Sequence, residues 1–387
     1  MKFLFWAAAA IIAYVYLGYP LLLRVIRRLR GPRLPRRGTG QPAVTLMISA
    51  YNEQDVIGAK LRNTLEIDYP RRRLQVLVIS DASDDRTDRI VGEFAAEGIE
   101  LLRMPARGGK TAGLNAAMAR ASGEVVVFSD ANALYRPDAI AMLVRNFADA
   151  GVGAVIGEST YVDPEAPSEH SEGLYWRYET AIKLLESEIG SAVGGDGAIY
   201  AVRRQLYAPM PPDALSDFVN PLQVVRAGYR CVYEPAARSS ERAADTFRKE
   251  FRRKVRIVNR AWRATMRMRE LLNPLRFGLF SVMLISHKLL RWLAPFFLVG
   301  LLASNVALLD QGPLYQLALG LQVACYALAL SGLALRNRRS LPALLSVPFY
   351  FALVNAASAT GIVDAWRGKT YTTWNSARSR ETPAGPG

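Results

Sequence analysis

Four short apolar runs with strand character mark the first part of the polar region: "AVTLMISA" at 43–50, "LQVLVIS" at 74–80, "IELLRM" at 99–104 and "EVVVFS" at 124–129. Helical patterns lie between them, from Glu53 to about Leu65, from near Asp85–Arg86, and from Lys110 to Ala121. Strand alternating with helix predicts a largely parallel sheet flanked by helices. Such sheets take ligands beyond the carboxyl ends of their strands. Polar residues gather there: Tyr51, Asn52 and Glu53 after the first run, Asp81 after the second, Asp130 and Asn132 after the fourth. One acid at a strand end is ordinary capping of the next helix. Several acids at one edge repel, and a divalent cation resolves this; oxygen ligands suit magnesium or manganese.

The ends of the chain follow a different pattern. Residues 3–23 carry no charge and match the thickness of a hydrocarbon core. Arg24, Arg27, Arg28, Arg30, Arg33, Arg36 and Arg37 follow, which places them in the cytoplasm and the N-terminus outside. Three further apolar stretches cover about 289–309, 314–335 and 342–363, with the basic "RNRRS" at 336–340 between the last two. Four full crossings from an outside N-terminus leave the C-terminus outside, yet the tail holds Arg367, Lys369, Arg378 and Arg380. Either 342–363 is re-entrant, or 275–289 dips in as an additional element. Before these stretches, Phe247, Phe251, Val255, Val258, Trp262 and Met266 form one apolar helical stripe among ten Lys or Arg between 248 and 269. This pattern predicts a helix lying in the headgroup plane. No nucleic-acid partner is expected, because the adjoining apolar stretches already supply a lipid surface.

The expected organisation is an anchor at 1–24, a basic cytoplasmic linker at 25–41, a catalytic domain at 42–245, an amphipathic helix at 246–274, a membrane region at 275–365 and a polar tail at 366–387. Composition adds to this. Half of the 387 residues are apolar, yet the net charge is +15, which fits contact with an anionic bilayer face. Two cysteines and two histidines argue against a disulfide scaffold and a zinc cluster. A P-loop is excluded, because Met104 stands where the pattern before Gly109-Lys110-Thr111 needs glycine. No G-x-G-x-x-G follows the first strand, which excludes a dinucleotide fingerprint.

The segments "ISAYNEQDVI", "VISDASDDRTDRI" and "GGKTAGLNAAMARASGEVVVFSDAN", in this order and spacing, resemble the membrane-bound glycosyltransferase family 2 enzymes, whose fold is called GT-A. The resemblance implies a nucleotide-diphosphate sugar donor held by Ala50, Tyr51, Glu53, Asp81, Lys110 and Asp130, with Asp81 toward the base and Lys110 near the phosphates. Asp130 and Asn132 occupy the Asp-x-Asp positions, so both would ligate magnesium or manganese, the amide more weakly. "GGDGAIYAVRR" resembles the acceptor segment, through Gly195, Asp196 and Gly197. "LSDFVNPLQVVRAGYRCVYEP" resembles the catalytic acidic segment, with Asp217 as general base; an N-cap for a helix at 218–227 is the alternative. The Gln-x-x-Arg-Trp motif of processive members is altered to Arg253-Lys254-Val255-Arg256-Ile257, which leaves Arg253 and Arg256 for acceptor or phosphate contact. The implied activity is inverting sugar transfer to a glycan or lipid-linked acceptor at the cytoplasmic face of a bacterial inner membrane. A polyprenyl-phosphate glycosyltransferase and an inactive membrane scaffold of the same fold stand as alternatives.

Overall fold

A computed structural model describes residues 1–161, 169–241, 246–335 and 341–373. The 336–340 loop and the basic tail beyond Thr373 therefore lie outside the described residues.

The four apolar runs form strands β1 (Val44–Ala50), β2 (Leu74–Ser80), β3 (Ile99–Arg103) and β4 (Val125–Asp130), all parallel, in the order β3-β2-β1-β4. β1, β2 and β4 are rich in β-branched residues and buried on both faces, as helix-covered parallel strands require, while the edge strand β3 is partly exposed. The sheet then continues through β7 (Tyr200–Arg203), β6 (Val152–Tyr161), β8 (Arg230–Glu241) and the two-residue β5 (Leu134–Tyr135). β7 is antiparallel to both β4 and β6, and β6 pairs in parallel with β8, so this half is mixed. The register sets Ser49 opposite Asp130 and Ala50 opposite Ser80, which brings the carboxyl ends of β1, β2 and β4 to one edge.

Helices replace strands where the apolar period changes. The basic pattern forms one helix, Phe247–Arg267, capped by the Thr246 hydroxyl accepting from the Lys249 amide. A helix at Glu169–Ile189, for which no function was read from the sequence, lies under the sheet edge beside it. Four helices are long and apolar enough to cross a bilayer: Lys2–Arg30, Leu279–Val306, Pro313–Ala334 and Ala343–Trp366. The first runs past residue 24, so its arginines begin on the helix. Arg27 pairs with Glu188, and Arg37 beyond the helix pairs with Glu234 at 3.0 Å, which pins the linker to the sheet domain. Residues 279–289 are the start of the second such helix, not a separate element.

The final helix runs alongside the basic helix in the same direction. Phe349 packs on Phe247 (ring centroids 4.9 Å), Gly361 accepts from the Asn259 side chain at 3.2 Å, and Trp366 meets Trp262 at 6.0 Å. The apolar stripe expected to face lipid is therefore covered by this helix over much of its length. The basic face turns inward instead, because the sheet domain supplies carboxylates and carbonyls for it. Arg260 is buried and donates to the carbonyls of Asp213 and Ala214, while Arg263 and Arg267 grip the Asp213 carboxylate at 2.8–3.0 Å.

Burial alone would raise the Asp213 pKa, but the hydrogen bonds from Arg267 and Arg263 outweigh it and hold the group below the ordinary carboxylate range. Its contribution is thus present above that range and lost as pH falls through the lowered pKa. Asp213→Asn is expected to destabilise the protein by about 1–3 kcal/mol near neutrality. In detergent, the difference in Tm between wild type and variant should shrink as pH drops below about 4.

Candidate active site

The loops after β1 and β2 are sewn together. The Asn52 amide side chain exchanges hydrogen bonds with Asp84, the Glu53 backbone amide donates to the Thr87 hydroxyl at 2.8 Å, and the Gln54 amide donates to Asp85 at 3.1 Å. Asp81 is 1% exposed, and its two oxygens accept from the amides of Gly108 and Gly109 at 2.8 and 2.9 Å. Gly109 has φ +88°, a conformation that favours glycine, and the next residue, Lys110, opens a helix. Asp81 thus fixes the turn that aims Lys110. The Tyr51 ring carries the Arg107 guanidinium 3.8 Å from its centroid, and the Ala50 carbonyl accepts from the Asp81 amide at 3.0 Å.

Lys110 forms an ion pair with Asp130. A β-carbon placed on Gly197 would lie 3.4 Å from Asp130 Oδ2, 3.4 Å from Lys110 Nζ and 3.7 Å from Asp217 Oδ2. Three functional groups from three distant segments therefore face one point. Asp217 lies in the first turn of the helix Ser216–Arg226, where Leu215 holds the cap position and no side chain caps. The N-cap alternative for Asp217 is not what the structure shows. Gly195 lets the chain pass this close: its amide donates to the Asp217 carbonyl at 2.7 Å, and a β-carbon there would sit 2.5 Å from that oxygen.

One cavity of about 420 Å³ joins these groups to the long apolar helices. Its walls include Glu53, Lys110, Asp130, Asn132, Asp217, the Gly195–Gly197 segment, Arg253 and Arg256; Ala50, Tyr51 and Asp81 do not line it. Burial raises the Asp217 pKa, Asp196 and Asp130 push the same way, and Lys110 opposes them. Glu241, at the end of β8 and unread in the sequence, also lines the cavity; burial together with Asp130 and Asp196 lifts it to about 8. A second unread group is the stripe Tyr175, Glu179 and Lys183, whose four-residue spacing puts it on one face of the Glu169–Ile189 helix. Nothing in the sequence separates that stripe from an ordinary solvated face. Glu179 is held by Lys288, Arg291 and His287 at 2.7–3.0 Å, and these partners keep it well below the usual carboxylate range although its burial works the other way.

Residues 45–207 match the model described as "Glycosyl transferase family 2". The domain belongs to glycosyltransferase family 2. Its relatives include a probable glycosyltransferase, YdaM, of Bacillus subtilis, 28% identical over 236 residues, which are 56% of this chain and 54% of that protein. A beta-monoglucosyldiacylglycerol synthase of Trichormus variabilis is 35% identical over 118 residues, 30% of this chain and 25% of that one. The chain thus spans about half of the first relative and a quarter of the second. Among solved structures, the mannosyltransferase PcManGT of Pyrobaculum calidifontis, in complex with GDP-Man and Mn2+, superimposes with TM-score 0.72 at 26% identity, over 95% of this chain and 99% of that one. The family 2 domain has the GT-A architecture expected from its motifs.

The convergence on Gly197 is directly testable. A Gly197→Ala side chain would make only ordinary contacts, so the variant should keep its Tm while turnover falls at least tenfold, because the methyl occupies the point that the three groups face. Gly195→Ala, by contrast, should lower Tm through its clash with the Asp217 carbonyl.

Proposed function

We propose that the chain is an inverting glycosyltransferase that moves a sugar from a nucleoside diphosphate sugar to a lipid-linked or glycan acceptor at the membrane surface. The observation that carries this reading is the meeting of Lys110, Asp130 and Asp217 around one point in a cavity that reaches the membrane helices. Asp217 takes the proton of the acceptor hydroxyl. The new bond from that oxygen to the anomeric carbon forms as the bond to the diphosphate breaks, on the opposite face. A carboxyl whose pKa is raised by burial is a stronger base than a solvated one and suits this task. The Lys110 ammonium meets the charge that grows on the departing diphosphate. Asp81 acts behind it, by holding the turn that orients Lys110.

The residues fit a hard divalent cation. Among the described residues no three His, Cys, Asp or Glu side chains close a cage, but magnesium typically takes one or two protein oxygens and completes its shell with phosphate and water. Asp130 and Asn132 line the cavity at the end of β4 and would hold such an ion. When bound, it would offset diphosphate charge beside Lys110. The Mn2+ in PcManGT supports the same expectation.

We also propose that only three of the four apolar helices cross the bilayer. Tyr350, near the start of the final helix, packs on Tyr175, and Thr372, in the segment after its end at Trp366, comes so close to the site that a β-carbon on Gly109 would lie 2.2 Å from its carbonyl. Such a helix lies along the membrane face, which puts the C-terminus on the cytoplasmic side with the catalytic domain. This is neither a crossing nor the re-entrant option for 342–363, but like the latter it agrees with the positive-inside expectation for the tail.

Purified protein in detergent should release nucleoside diphosphate from one nucleotide sugar with Mg2+ or Mn2+ and stop in excess chelator; undiminished release in chelator would remove the metal. Asp217→Asn should bind that donor normally yet lose at least a hundredfold in transfer; full transfer would remove the base assignment. A C-terminal fluorescent fusion should fold on the cytoplasmic side, and a C-terminal alkaline phosphatase should be inactive. The reverse pattern would mean that the final helix crosses.

A further inference from the structure

Glu241 is an acid of the cavity that the proposed mechanism does not use. Ser239 and Ser240 of β8 pair with Tyr135 and Leu134, so the next residue, Glu241, comes level with Ala133, just past the turn at 130–132. It lines the cavity there with Asp130, Asn132, Asp196 and Gly197. No ion pair or hydrogen bond joins its side chain to another group among the described residues. The cations that act on it do so from a distance: Lys110 is paired with Asp130, Arg253 with Glu250, and Lys60 donates to the Ala133 carbonyl. A carboxylate that serves the fold looks different here, as Glu234 shows by accepting from Arg145 and Asn146 and pairing with Arg37. Asp196 is also uncompensated, since Oδ1 accepts only from the Ala198 amide at 3.1 Å and the buried Oδ2 has no partner among the described residues. Asp130 and Asp196 each act on both Asp217 and Glu241, so the four carboxyls border one hollow. Gly197, which Lys110, Asp130 and Asp217 face, lies on its wall. Burial, then the charges of Asp130 and Asp196, raise the Glu241 carboxyl to about 8. The same two acids oppose any other anion set beside it.

We infer that Glu241 receives ring hydroxyls of the transferred sugar, and that the acids around it restrict the donor to neutral sugars and refuse a hexuronate. This rests on the transferase reading above and names the class of sugar on the donor. In that reading the sugar lies between the diphosphate at Lys110 and the base Asp217, which is the hollow that Glu241 borders. A carboxyl offers two oxygens, enough to accept from neighbouring hydroxyls of one ring. A hexuronate would bring its own carboxylate into the company of Asp130, Asp196 and Asp217, where like charges stand close together and water is scarce. A neutral hexose brings hydroxyl donors instead, which an unpartnered carboxyl is suited to meet.

The test uses the full-length protein in detergent. Thermal shift with free UDP, GDP, ADP and dTDP first fixes the base; glucose, galactose and mannose donors and their uronates are then compared on that base. The best neutral donor should exceed its uronate at least about tenfold in kcat/KM. Glu241→Gln should lower kcat/KM for that neutral donor about tenfold, while Tm is kept and the Kd of the free nucleoside diphosphate stays within about twofold. Removing single hydroxyls from the donor sugar should identify one whose loss costs the wild type a similar factor and costs the variant little more. A residue that only braced the fold would lower Tm and show no such coupling. Four results would overturn the inference: equal turnover of hexose and hexuronate; unchanged kcat/KM in Glu241→Gln; an equal loss of nucleoside diphosphate affinity, which would assign Glu241 to the phosphates; or hydroxyl losses that simply add to the substitution. The hexose and hexuronate comparison uses wild type alone, so it decides even if the variant fails to fold. Failure of the transferase reading looks different, because then no nucleotide sugar of either kind binds or is turned over.

Discussion

The structure depends on keeping several carboxylates together in a secluded place. The parallel strands β1, β2 and β4 end at one edge, and the chain returns through Gly195–Gly197 and Asp217 to the same edge. Left alone, Asp130, Asp196, Asp217 and Glu241 would repel one another. Lys110 counters this by pairing with Asp130 and reaching toward Gly197. Its own position depends on Asp81, whose buried carboxylate clamps the glycine turn before it. A chain of two acid contacts, one to backbone and one to ammonium, therefore sets the centre of the site.

The same tension shapes the side that faces the apolar helices. Glu250 is buried against Arg253 and Lys254, which hold it down to about 2 although burial opposes them, and Glu179 is likewise enclosed by cations. Each cluster costs desolvation; Glu250 braces its own helix at i,i+3 and i,i+4, and Glu179 ties the Glu169–Ile189 helix to Lys288 and Arg291 in the Leu279–Val306 helix. The basic helix owes its place to its inward arginines. Arg260 is buried against the Asp213 and Ala214 carbonyls, and its pKa is lowered to about 10 by burial and by Arg256. With its arginines committed inward, the helix leaves its apolar stripe for the final helix to cover.

Much of the nucleotide half was legible, because a parallel strand buried on both faces reads as an unbroken apolar run ending in polar residues. Asp130 was found that way, and Lys110 and Asp217 by resemblance to the family's segments. Other features carried no local signal. Glu241 ends an exposed-looking "RSSE", and its burial depends on β8 lying between β6 and β5. Tyr175, Glu179 and Lys183 have the spacing of any surface helix. The final helix reads as a crossing by length and composition, and its packing along Phe247, Asn259 and Trp262 carried no local signal. The basic helix was expected at the headgroups for the same reason, as its arginines showed no partners until Asp213 was brought beside them.

The central claim is that Asp217 activates the acceptor oxygen directly across from a diphosphate leaving beside Lys110. The anomeric configuration of the product tests it most directly. With an α-linked nucleoside diphosphate sugar as donor, nuclear magnetic resonance of the purified product should show a β linkage. An α linkage would mean retention, and would contradict a single displacement with Asp217 as the base.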